Sequence, residues 1–320
     1  LFLIMVFGVL PALLPGLVQQ DDNSPFMMEE PVRIYDTSKH RAVTEYATSL
    51  MSMPNVKSER VTQVLFNEVV ELVSADSIDG YVLVRTTDGL EGYIKENVLT
   101  DDLDHIEPAF HQYKLVISDV SKNVMSHIRD GTLELEVMMN TVLYSDHRRD
   151  GVYHVALPGG KDGWVSSGGV IELGLYDSVE QAGVRYYVSS VLSFVNMTHL
   201  ERGITKRGIS VQGLAYTAAS VNGVEIPRRM EDQLFAGERV VLEYDEVTGE
   251  LIIESIIPGD IIFFRHPQDT SNTPHEMAIC TDVGVVLMIS SSRTTLRLQN
   301  ITDNYALQNR IISVRRIFYQ

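Results

Sequence analysis

Short apolar runs separated by polar turn residues fill the chain from residue 31 to about residue 173. The runs at residues 69–73, 81–84 and 152–155 have the length of β-strands, and clusters of glycine, aspartate and asparagine separate them. Strand-length apolar runs bounded by turn residues are typical of antiparallel sheets. This part of the chain is therefore predicted to form small β-barrels.

Two stretches within this part share one pattern. Residues 88–94 read Asp-Gly-Leu-Glu-Gly-Tyr-Ile, and residues 159–165 read Gly-Gly-Lys-Asp-Gly-Trp-Val. A glycine turn followed by an aromatic residue that starts a new strand, found twice, indicates a duplicated module. We expect two barrels in series, at residues 25–100 and 101–175, with the acidic stretch 100–104 at their boundary.

The pattern becomes helical after residue 176. Apolar residues at 178–194 recur with the spacing of one helix face, and a second helix fits residues 210–221. Ser210 can cap the start of this second helix, and the Asn222–Gly223 pair can end it. Strands are predicted at residues 240–242, 251–257, 260–264, 277–281, 285–289 and 311–317. Helices followed by antiparallel strands are typical of an α+β domain, here residues 176–320.

Residues 1–18 are almost wholly apolar, but glycines and prolines interrupt them and a polar run follows at residues 19–23. This pattern is typical of the hydrophobic part of a secretory signal. We expect residues 1–20 to be a signal peptide or N-terminal hydrophobic segment, with further residues upstream of Leu1, and the protein to be secreted, periplasmic or extracellular. An uncleaved anchor is the alternative, and it is the only membrane contact that we expect.

The charge and the cysteine content exclude some classes of partner and site. The chain carries 43 acidic and 26 basic residues, and a net charge of −17 repels the phosphate backbone of nucleic acids, so nucleic acid is not an expected partner. The single cysteine, Cys280, excludes an internal disulfide and any multi-cysteine metal site. The histidines show no paired spacing typical of metal hydrolases, and we expect no metal and no cofactor.

Three stretches of the C-terminal part form a recognisable set: residues 208–214 (Gly-Ile-Ser-Val-Gln-Gly-Leu), 223–233 (Gly-Val-Glu-Ile-Pro-Arg-Arg-Met-Glu-Asp-Gln) and 257–264 (Ile-Pro-Gly-Asp-Ile-Ile-Phe-Phe). Together they resemble the catalytic domain of NlpC-type endopeptidases, which are papain-like enzymes that cut peptidoglycan stem peptides. Residues 58–66 and the two glycine–aromatic turns resemble the paired bacterial SH3-like modules of the γ-D-glutamyl–diamino acid endopeptidase subgroup. The resemblance implies an α+β fold, with two small SH3-like β-barrels followed by a papain-like α+β domain.

The resemblance breaks at the nucleophile. The family places its cysteine in Gly-Ile-Asp-Cys-Ser-Gly-Leu, in the first turn of a helix, where unpaired amides favour the thiolate. The same position here is Val211, flanked by Ser210 and Gln212 in place of the aspartate and serine. Because valine has no nucleophilic atom, an acyl-enzyme cannot form at this position.

The family's histidine, which starts a later strand, is also displaced. Alignment without a gap puts Glu276 at the histidine position and Met288 at the position of the third polar residue. His275 lies one residue earlier, and a one-residue slip would point it to the opposite face of the strand unless a bulge intervenes. His275 therefore remains an alternative base. Cys280 lies too far along the strand to replace the nucleophile and is expected to be buried and inert.

Substitutions elsewhere alter the expected substrate pocket. Arg229 follows Arg228 where the family has an acid that receives the substrate's amino group, and Leu90 replaces a tyrosine of the first SH3-like module. Glu59 matches that module's glutamate. The aromatic lead-in to the nucleophile is replaced by residues 198–203, where a His–Glu pair is the remaining candidate. The candidate ligand-binding residues are Glu59, Leu90, His199, Glu201, Ser210, Gln212, Arg228 and Arg229.

These substitutions predict a catalytically inactive relative of the peptidoglycan endopeptidases that binds a wall-derived peptide or a partner protein. The first alternative is a working hydrolase in which Glu276 or His275 activates water directly. The second is a structural or assembly protein whose cleft is filled by Gln212, Arg229 and Met230. An open cleft would disfavour this second alternative.

Overall fold

We analysed a computed structural model, which describes residues 32–289, 292 and 294–319. The predicted signal segment at residues 1–20 and the start of the first predicted barrel lie outside the described residues. No helix among the residues described has the length and hydrophobicity needed to cross a membrane.

The first part of the described chain is an antiparallel seven-stranded sheet with the order β3-β2-β6-β5-β4-β1-β7. Its strands are β1 (His40–Val43), β2 (Ala47–Met51), β3 (Arg60–Leu65), β4 (Val69–Leu72), β5 (Tyr81–Thr86), β6 (Glu91–Lys95) and β7 (Leu99–Thr100). The alternating strand residues bury a core that includes Val43, Leu50, Val84 and Ile94. Period-two burial of this kind is expected when one face of a sheet is packed.

The next part is a second antiparallel seven-stranded sheet, with the order β10-β9-β13-β12-β11-β8-β14. Its strands are β8 (Tyr113–Ile117), β9 (Ser121–Met125), β10 (Leu133–Met138), β11 (Val142–Arg149), β12 (Val152–Leu157), β13 (Lys161–Ser166) and β14 (Val170–Leu173). This order repeats that of the first sheet, strand for strand. The two glycine-rich stretches join equivalent hairpins, β5–β6 and β12–β13, and Gly89 (φ 86°) and Gly159 (φ 75°) supply their left-handed residues.

The remainder is a mixed helical and β region. Its helices are α1 (Val184–Leu192), α2 (Val211–Val221), α3 (Met230–Gln233) and α4 (Tyr305–Gln308). A hairpin of β15 (Ile204–Thr205) and β16 (Gly208–Ile209) precedes α2. Within the described residues, a six-stranded antiparallel sheet has the order β17-β22-β18-β19-β20-β21. Its strands are β17 (Glu238–Arg239), β18 (Ile261–Phe264), β19 (Glu276–Asp282), β20 (Val285–Ile289), β21 (Leu296–Asn300) and β22 (Ile311–Arg316).

Helix α2 packs on one face of this six-stranded sheet. Met277, Ile279 and Leu287 lie in the same core cluster as Leu214 of α2. Residues of the opposite sheet face, among them Ala278, Cys280 and Met288, form a separate cluster beneath the sheet. The sheet is therefore buried on both faces, which explains the continuous apolar runs of its strands.

Several sequence predictions differ from the observed elements. The first helix begins at Val184 rather than near residue 178. The apolar run at 251–257 is not a strand but contains a short 3₁₀ helix, Ile253–Ser255, because Ile253 and Ile256 both turn into one core cluster and a three-residue repeat brings them to the same side. Strand β21 was missed because most of its residues are polar and it lies at the sheet edge.

Candidate functional site

A cleft of about 950 Å³ lies at the amino end of α2. Helix α2 contributes Val211 and Gln212 to it, preceded by the cap residue Ser210. The loop before the β15–β16 hairpin contributes His199 and Glu201. The opposite wall comes from the chain after β18, the start of β19 and the region around α4. Most of the residues singled out around the nucleophile and base positions thus meet in one open concavity.

The amino end of α2 is held in place by its own cap and by a close approach to the preceding loop. The Ser210 hydroxyl accepts a hydrogen bond from the Gly213 amide (3.1 Å) and donates to the Gly203 carbonyl (3.3 Å). A side chain at Gly213 would place its Cβ 2.0 Å from the Gly203 carbonyl oxygen, so only glycine permits this contact. The helix ends as predicted, with Asn222 as its last capping residue and Gly223 at φ 76°.

Val211 occupies the first turn of α2 on the cleft wall and is 3% exposed. No cysteine lines the cleft among the described residues. Cys280 is 1% exposed in the cluster on the other face of the sheet, and burial raises the pKa of its thiol to about 12. The Ser210 hydroxyl proton is directed to a carbonyl and not to a base. The first turn of α2 therefore presents no activated nucleophile.

The face alternation of β19 bears on the choice between His275 and Glu276. Met277 and Ile279 pack toward α2, whereas Ala278 and Cys280 pack on the opposite face. Pairing with β18 is regular from Ile279 to Glu276, without a bulge. Alternation within the strand puts Glu276 on the far side. His275 precedes the first residue of β19, and its amide donates to the carbonyl of Phe264 (2.8 Å), the residue with which Glu276 pairs, so the alternation does not extend to it. Both His275 and Glu276 line the cleft, so the two candidates for the base position stand next to each other on its wall.

Glu276 is also engaged by a basic neighbour. Its carboxylate accepts a hydrogen bond from Arg310 (2.8 Å), and the two side chains are 28% and 17% exposed. This charge-assisted hydrogen bond holds the Glu276 carboxylate against the guanidinium. Met288 shares its sheet face with Ala278 and Cys280, so it packs away from α2. The His275 ring is exposed and contacts the ring of His266, with 4.6 Å between centroids.

His199 and Glu201 form a pair on the near wall. The His199 ring lies 3.6 Å from the Glu201 carboxylate and 3.3 Å from the Ile209 carbonyl. The hydrogen bond with His199 lowers the pKa of Glu201. Because the Glu201 side chain is 70% exposed, this pair is a solvated surface contact at the cleft rim.

Two candidates from the first sheet lie apart from the cleft walls. Glu59 is an exposed residue that pairs with Arg202 at 2.7 Å, and Arg60 donates to the Glu201 carbonyl. Leu90 is half-buried against the core of the first sheet. These contacts fasten the loop at residues 199–203 to the first sheet, and they do not bring Glu59 or Leu90 into the cleft lining.

The adjacent arginines 228 and 229 have opposite environments. Arg228 is 7% exposed, donates to Asp88 (2.9 Å) and Glu68 (2.5 Å), and lies over the Tyr216 ring. Burial disfavours its charge, but the two carboxylates outweigh burial and raise the pKa of Arg228. Arg229 is exposed and lies 3.7 Å from the Glu231 carboxylate. Arg228 therefore joins the first sheet to the helical region, and Arg229 is not among the cleft-lining residues.

Sequence reasoning missed two arginines on the wall opposite α2. Arg265 and Arg310 both line it, and Arg310 holds Glu276. Nothing in the local sequence signals this ion pair, because its partners are 34 residues apart. Arg265 directly follows the predicted strand 260–264, and this position was the local signal available for it.

The chain is similar to a peptidase and to solved structures of NlpC/P60 proteins. The gamma-D-glutamyl-L-lysine dipeptidyl-peptidase of Bacillus subtilis (strain 168) is 22% identical over 264 residues, covering 80% of this chain and 81% of that protein. An NlpC/P60 family protein from Bacillus cereus has a TM-score of 0.71 at 18% identity, covering 88% of this chain and 100% of that one. No family model matches the chain.

A second solved structure extends the comparison. An NlpC/P60 endopeptidase from Photobacterium damselae subsp. piscicida has a TM-score of 0.55 at 12% identity, covering 90% of this chain and 73% of that one. At these identities the likeness concerns the fold. The chain is mostly β-sheet with few helices and has an NlpC/P60-like fold.

Proposed function

We propose that this protein is a secreted, catalytically inactive relative of the cell-wall peptidoglycan endopeptidases. Its cleft binds a peptide without cutting it. The ligand is a wall-derived peptide, with a partner protein as the alternative. The proposal includes an N-terminal hydrophobic segment at residues 1–20, SH3-like barrels at 25–100 and 101–175, and a papain-like domain at 176–320.

One observation carries the proposal: Val211 stands in the first turn of α2, on the wall of an open cleft. The start of a helix on a cleft wall is a suitable place for a nucleophile, because unpaired amides stabilise negative charge there. Two methyl groups at this place retain the shape of the cleft but supply no attacking atom. The geometry thus supports ligand binding more than covalent catalysis.

The repeated strand order supports the proposed domain division. The two seven-stranded sheets have equivalent topologies, and their equivalent hairpins carry the two glycine–aromatic turns. A sheet that repeats in both sequence and strand order is expected from duplication of one small module. We assign both modules to the SH3-like class on the sequence resemblance.

The open cleft disfavours the purely structural alternative. Gln212 and Met230 line the cleft but leave a volume of about 950 Å³, and Arg229 does not contribute to its lining. Pockets of this size, at a junction of several elements, are typical of ligand sites. Filling of the cleft by these three side chains was the basis of the structural alternative.

A water-activating hydrolase is the other alternative, and His275 is its strongest support. His275 lines the cleft with an exposed ring, while Glu276 is held by Arg310. A single imidazole without a nucleophile beside it is a weak catalyst for amide cleavage. We therefore rank this alternative second.

Calorimetry with the tripeptide L-Ala–γ-D-Glu–L-Lys, followed by mass analysis of the same sample, tests the proposal. We expect a binding isotherm and an intact peptide after a day. A matched His275→Ala variant separates the inactive binding protein from the water-activating hydrolase. If the protein only binds, the peptide stays uncut with both the wild type and the variant. If water-mediated cleavage occurs, the variant should abolish it. Cleavage by the wild-type protein that His275→Ala removes would establish the hydrolase, and the absence of any heat signal would contradict peptide binding.

A further inference from the structure

Two arginines lie opposite each other at the β17 edge of the six-stranded sheet. Arg239 of β17 pairs with Arg315 of β22, which pairs in turn with Ile261 of β18. Residues directly opposite each other in antiparallel strands share one sheet face. Because Ile261 lies in the core cluster that contains Leu214 of α2, both arginines are on the α2 side of the sheet. A row of the sheet that is buried and apolar at Ile261 thus ends at the edge in two basic residues.

The backbone brings these two arginines close together. The Val240 amide donates to the Val314 carbonyl (2.9 Å), which makes these two residues a hydrogen-bonded pair. Such pairs alternate with non-hydrogen-bonded pairs, so Arg239 and Arg315 form one of the latter, in which the Cα atoms are only about 4.5 Å apart. Burial lowers the pKa of Arg315, and the positive charge of Arg239 lowers it further. The two guanidiniums therefore repel each other across the strands.

No carboxylate offsets this repulsion within the described residues. Neither guanidinium forms an ion pair or a hydrogen bond with the part of the chain that the structure describes. The Nε atom of half-buried Arg315 is itself buried and has no acceptor there, although buried polar groups are ordinarily hydrogen-bonded. Acidic residues outnumber basic ones in the chain by 43 to 26, so the lack of an acidic partner is not a consequence of composition.

The next pair of the same two strands shows that this edge can neutralise its charges. Glu238 lies opposite Arg316, and the Arg316 guanidinium donates two hydrogen bonds to the buried carboxylate of Asp260 (2.8 Å each). Here the arginine has a carboxylate partner, one residue away from the pair that has none. The unneutralised charge is thus confined to the α2 side of the edge, where two guanidiniums present unpaired donors to an anion.

We infer that Arg239 and Arg315 together bind a phosphate group. The planar guanidinium fork matches the oxygen geometry of phosphate, and forks on two neighbouring strands can share the oxygens of one tetrahedral anion. A carboxylate has only two oxygens and a single charge, so it satisfies one arginine rather than both. Neither residue lines the cleft, and this site therefore goes beyond the proposed peptide binding and does not depend on it. The phosphate group is either free or part of an ester.

A titration followed by NMR tests the site on the isotope-labelled protein. Sodium phosphate is added at neutral pH and constant ionic strength, with sodium chloride as the reference titration. The side-chain Nε–H signal of each arginine reports on its guanidinium, and we expect the signals of Arg239 and Arg315 to shift together and to saturate with one dissociation constant of about 1 mM or below. Glycerol phosphate, a monoester, and glycerophosphoglycerol, a diester, are titrated in the same way. The tightest of the three ligands identifies the source of the phosphate group.

Arg239→Gln and Arg315→Gln each remove one charged fork and should weaken phosphate binding at least about tenfold. The matched control is Arg149→Gln, at an exposed arginine that has Asp150 as its acidic partner (3.3 Å), and it should retain the wild-type affinity. Thermal melts in chloride establish that the variants are folded, and Arg239→Gln should melt no lower than the wild type because it removes a like-charge contact. Phosphate at the same ionic strength should raise the melting midpoint of the wild type more than that of Arg239→Gln or Arg315→Gln.

The outcomes bear on this site alone. Shifts that sodium chloride reproduces at the same ionic strength would show screening without binding and overturn the inference. Equal weakening by Arg149→Gln, or wild-type affinity in both Arg239→Gln and Arg315→Gln, would overturn the assignment to this pair. If a variant failed to fold, the wild-type titration and its chloride reference would still decide whether phosphate binds. Peptide binding by the cleft is tested separately, by the calorimetry described above.

Discussion

The turn at residues 258–260 and the amino end of α2 use their polar groups in opposite ways. Asp260 is fully buried, accepts two hydrogen bonds from Arg316 (2.8 Å each) and one from the Ile257 amide (2.9 Å). At the amino end of α2, two amides and the Gln212 carboxamide have no partners in the described chain. Both regions carry motifs of the same resemblance. The turn satisfies the polar groups of Asp260 inside the fold, whereas the amino end of α2 satisfies those of Ser210 but leaves two amides and a carboxamide without a partner in the described chain.

This difference distinguishes polar groups that stabilise the fold from polar groups that a ligand can use. Polar groups satisfied inside the protein stabilise one arrangement of the chain, whereas unsatisfied groups on a cleft are available for a ligand. We therefore predict that substitutions of polar groups satisfied inside the protein destabilise the fold. Substitutions at the unsatisfied end of α2 should instead alter reactivity or binding.

The largest effect is expected at Asp260. Asp260→Ala removes a buried carboxylate and leaves the Arg316 guanidinium and the Ile257 amide unpaired, which should lower the free energy of unfolding by about 3–5 kcal/mol. Denaturant titration measures this loss. Asp303→Asn, at an exposed position of the same region, should change stability by less than about 0.5 kcal/mol. Equal stabilities of the two variants would show that the Asp260 contacts are not needed by the fold.

Arg228 should come next, because it links two parts of the molecule. Arg228→Met leaves Glu68 and Asp88 without their buried cation and should cost about 2–4 kcal/mol. Arg229→Met is a matched control at the adjacent, exposed residue, and we expect a change below about 0.5 kcal/mol. Chemical denaturation of both variants under one set of conditions makes the comparison. A loss at Arg229 as large as that at Arg228 would contradict the assignment of the buried link.

Much of this architecture was predictable from sequence because its signals are local. The β20 prediction was confirmed at Val285–Ile289, and the Ser210 cap and the left-handed Gly223 were confirmed at the ends of α2. Asp260 also bonds within its own turn, through the Ile257 amide. Each of these features depends on residues within a few positions of one another.

What sequence reasoning missed depends on contacts between distant residues. Arg228 meets Glu68 and Asp88 at separations of 160 and 140 residues, and no local pattern encodes such pairs. The sheet face of Glu276 depends on which residues of β19 pack on α2, which an alignment does not contain. Because one residue of register exchanges the two faces of a strand, small alignment errors have large consequences there.

A thiol introduced at the amino end of α2 tests whether the unpaired amides there make a side chain reactive. Val211→Cys places a thiol beside unpaired amides that favour its thiolate, whereas burial raises the pKa of Cys280 to about 12. We expect iodoacetamide at neutral pH to modify the introduced thiol at least about 100-fold faster than Cys280, as measured by mass spectrometry of digests. Val211→Cys combined with Cys280→Ser should react at the same rate as Val211→Cys alone. Alkylation of Cys280 at a comparable rate would contradict the contrast between the two positions.

The smallest effect is expected from a charge cluster that fixes the hairpin leading into α2. Glu136 of the second sheet is paired with Lys206 and Arg207, and hydrogen bonds from Arg207 and then Lys206 lower its pKa to about 2. Since the pKa in the folded protein lies below the ordinary value of 4.5, the folded state holds this proton less tightly than the unfolded chain does. The cluster therefore stabilises the protein above about pH 4.5 and loses this contribution as the pH falls toward 2.

Glu136→Gln isolates this contribution, because the glutamine keeps the shape but does not titrate. The variant should be less stable than the wild type by about 1–2 kcal/mol at pH 6, and the difference should shrink as both proteins are acidified toward pH 3. Urea titrations at both pH values measure the difference. Glu134→Gln, an exposed neighbour on the same strand, is the control and should show no such convergence. A constant difference at all pH values would mean that packing, rather than charge, holds the hairpin in front of α2.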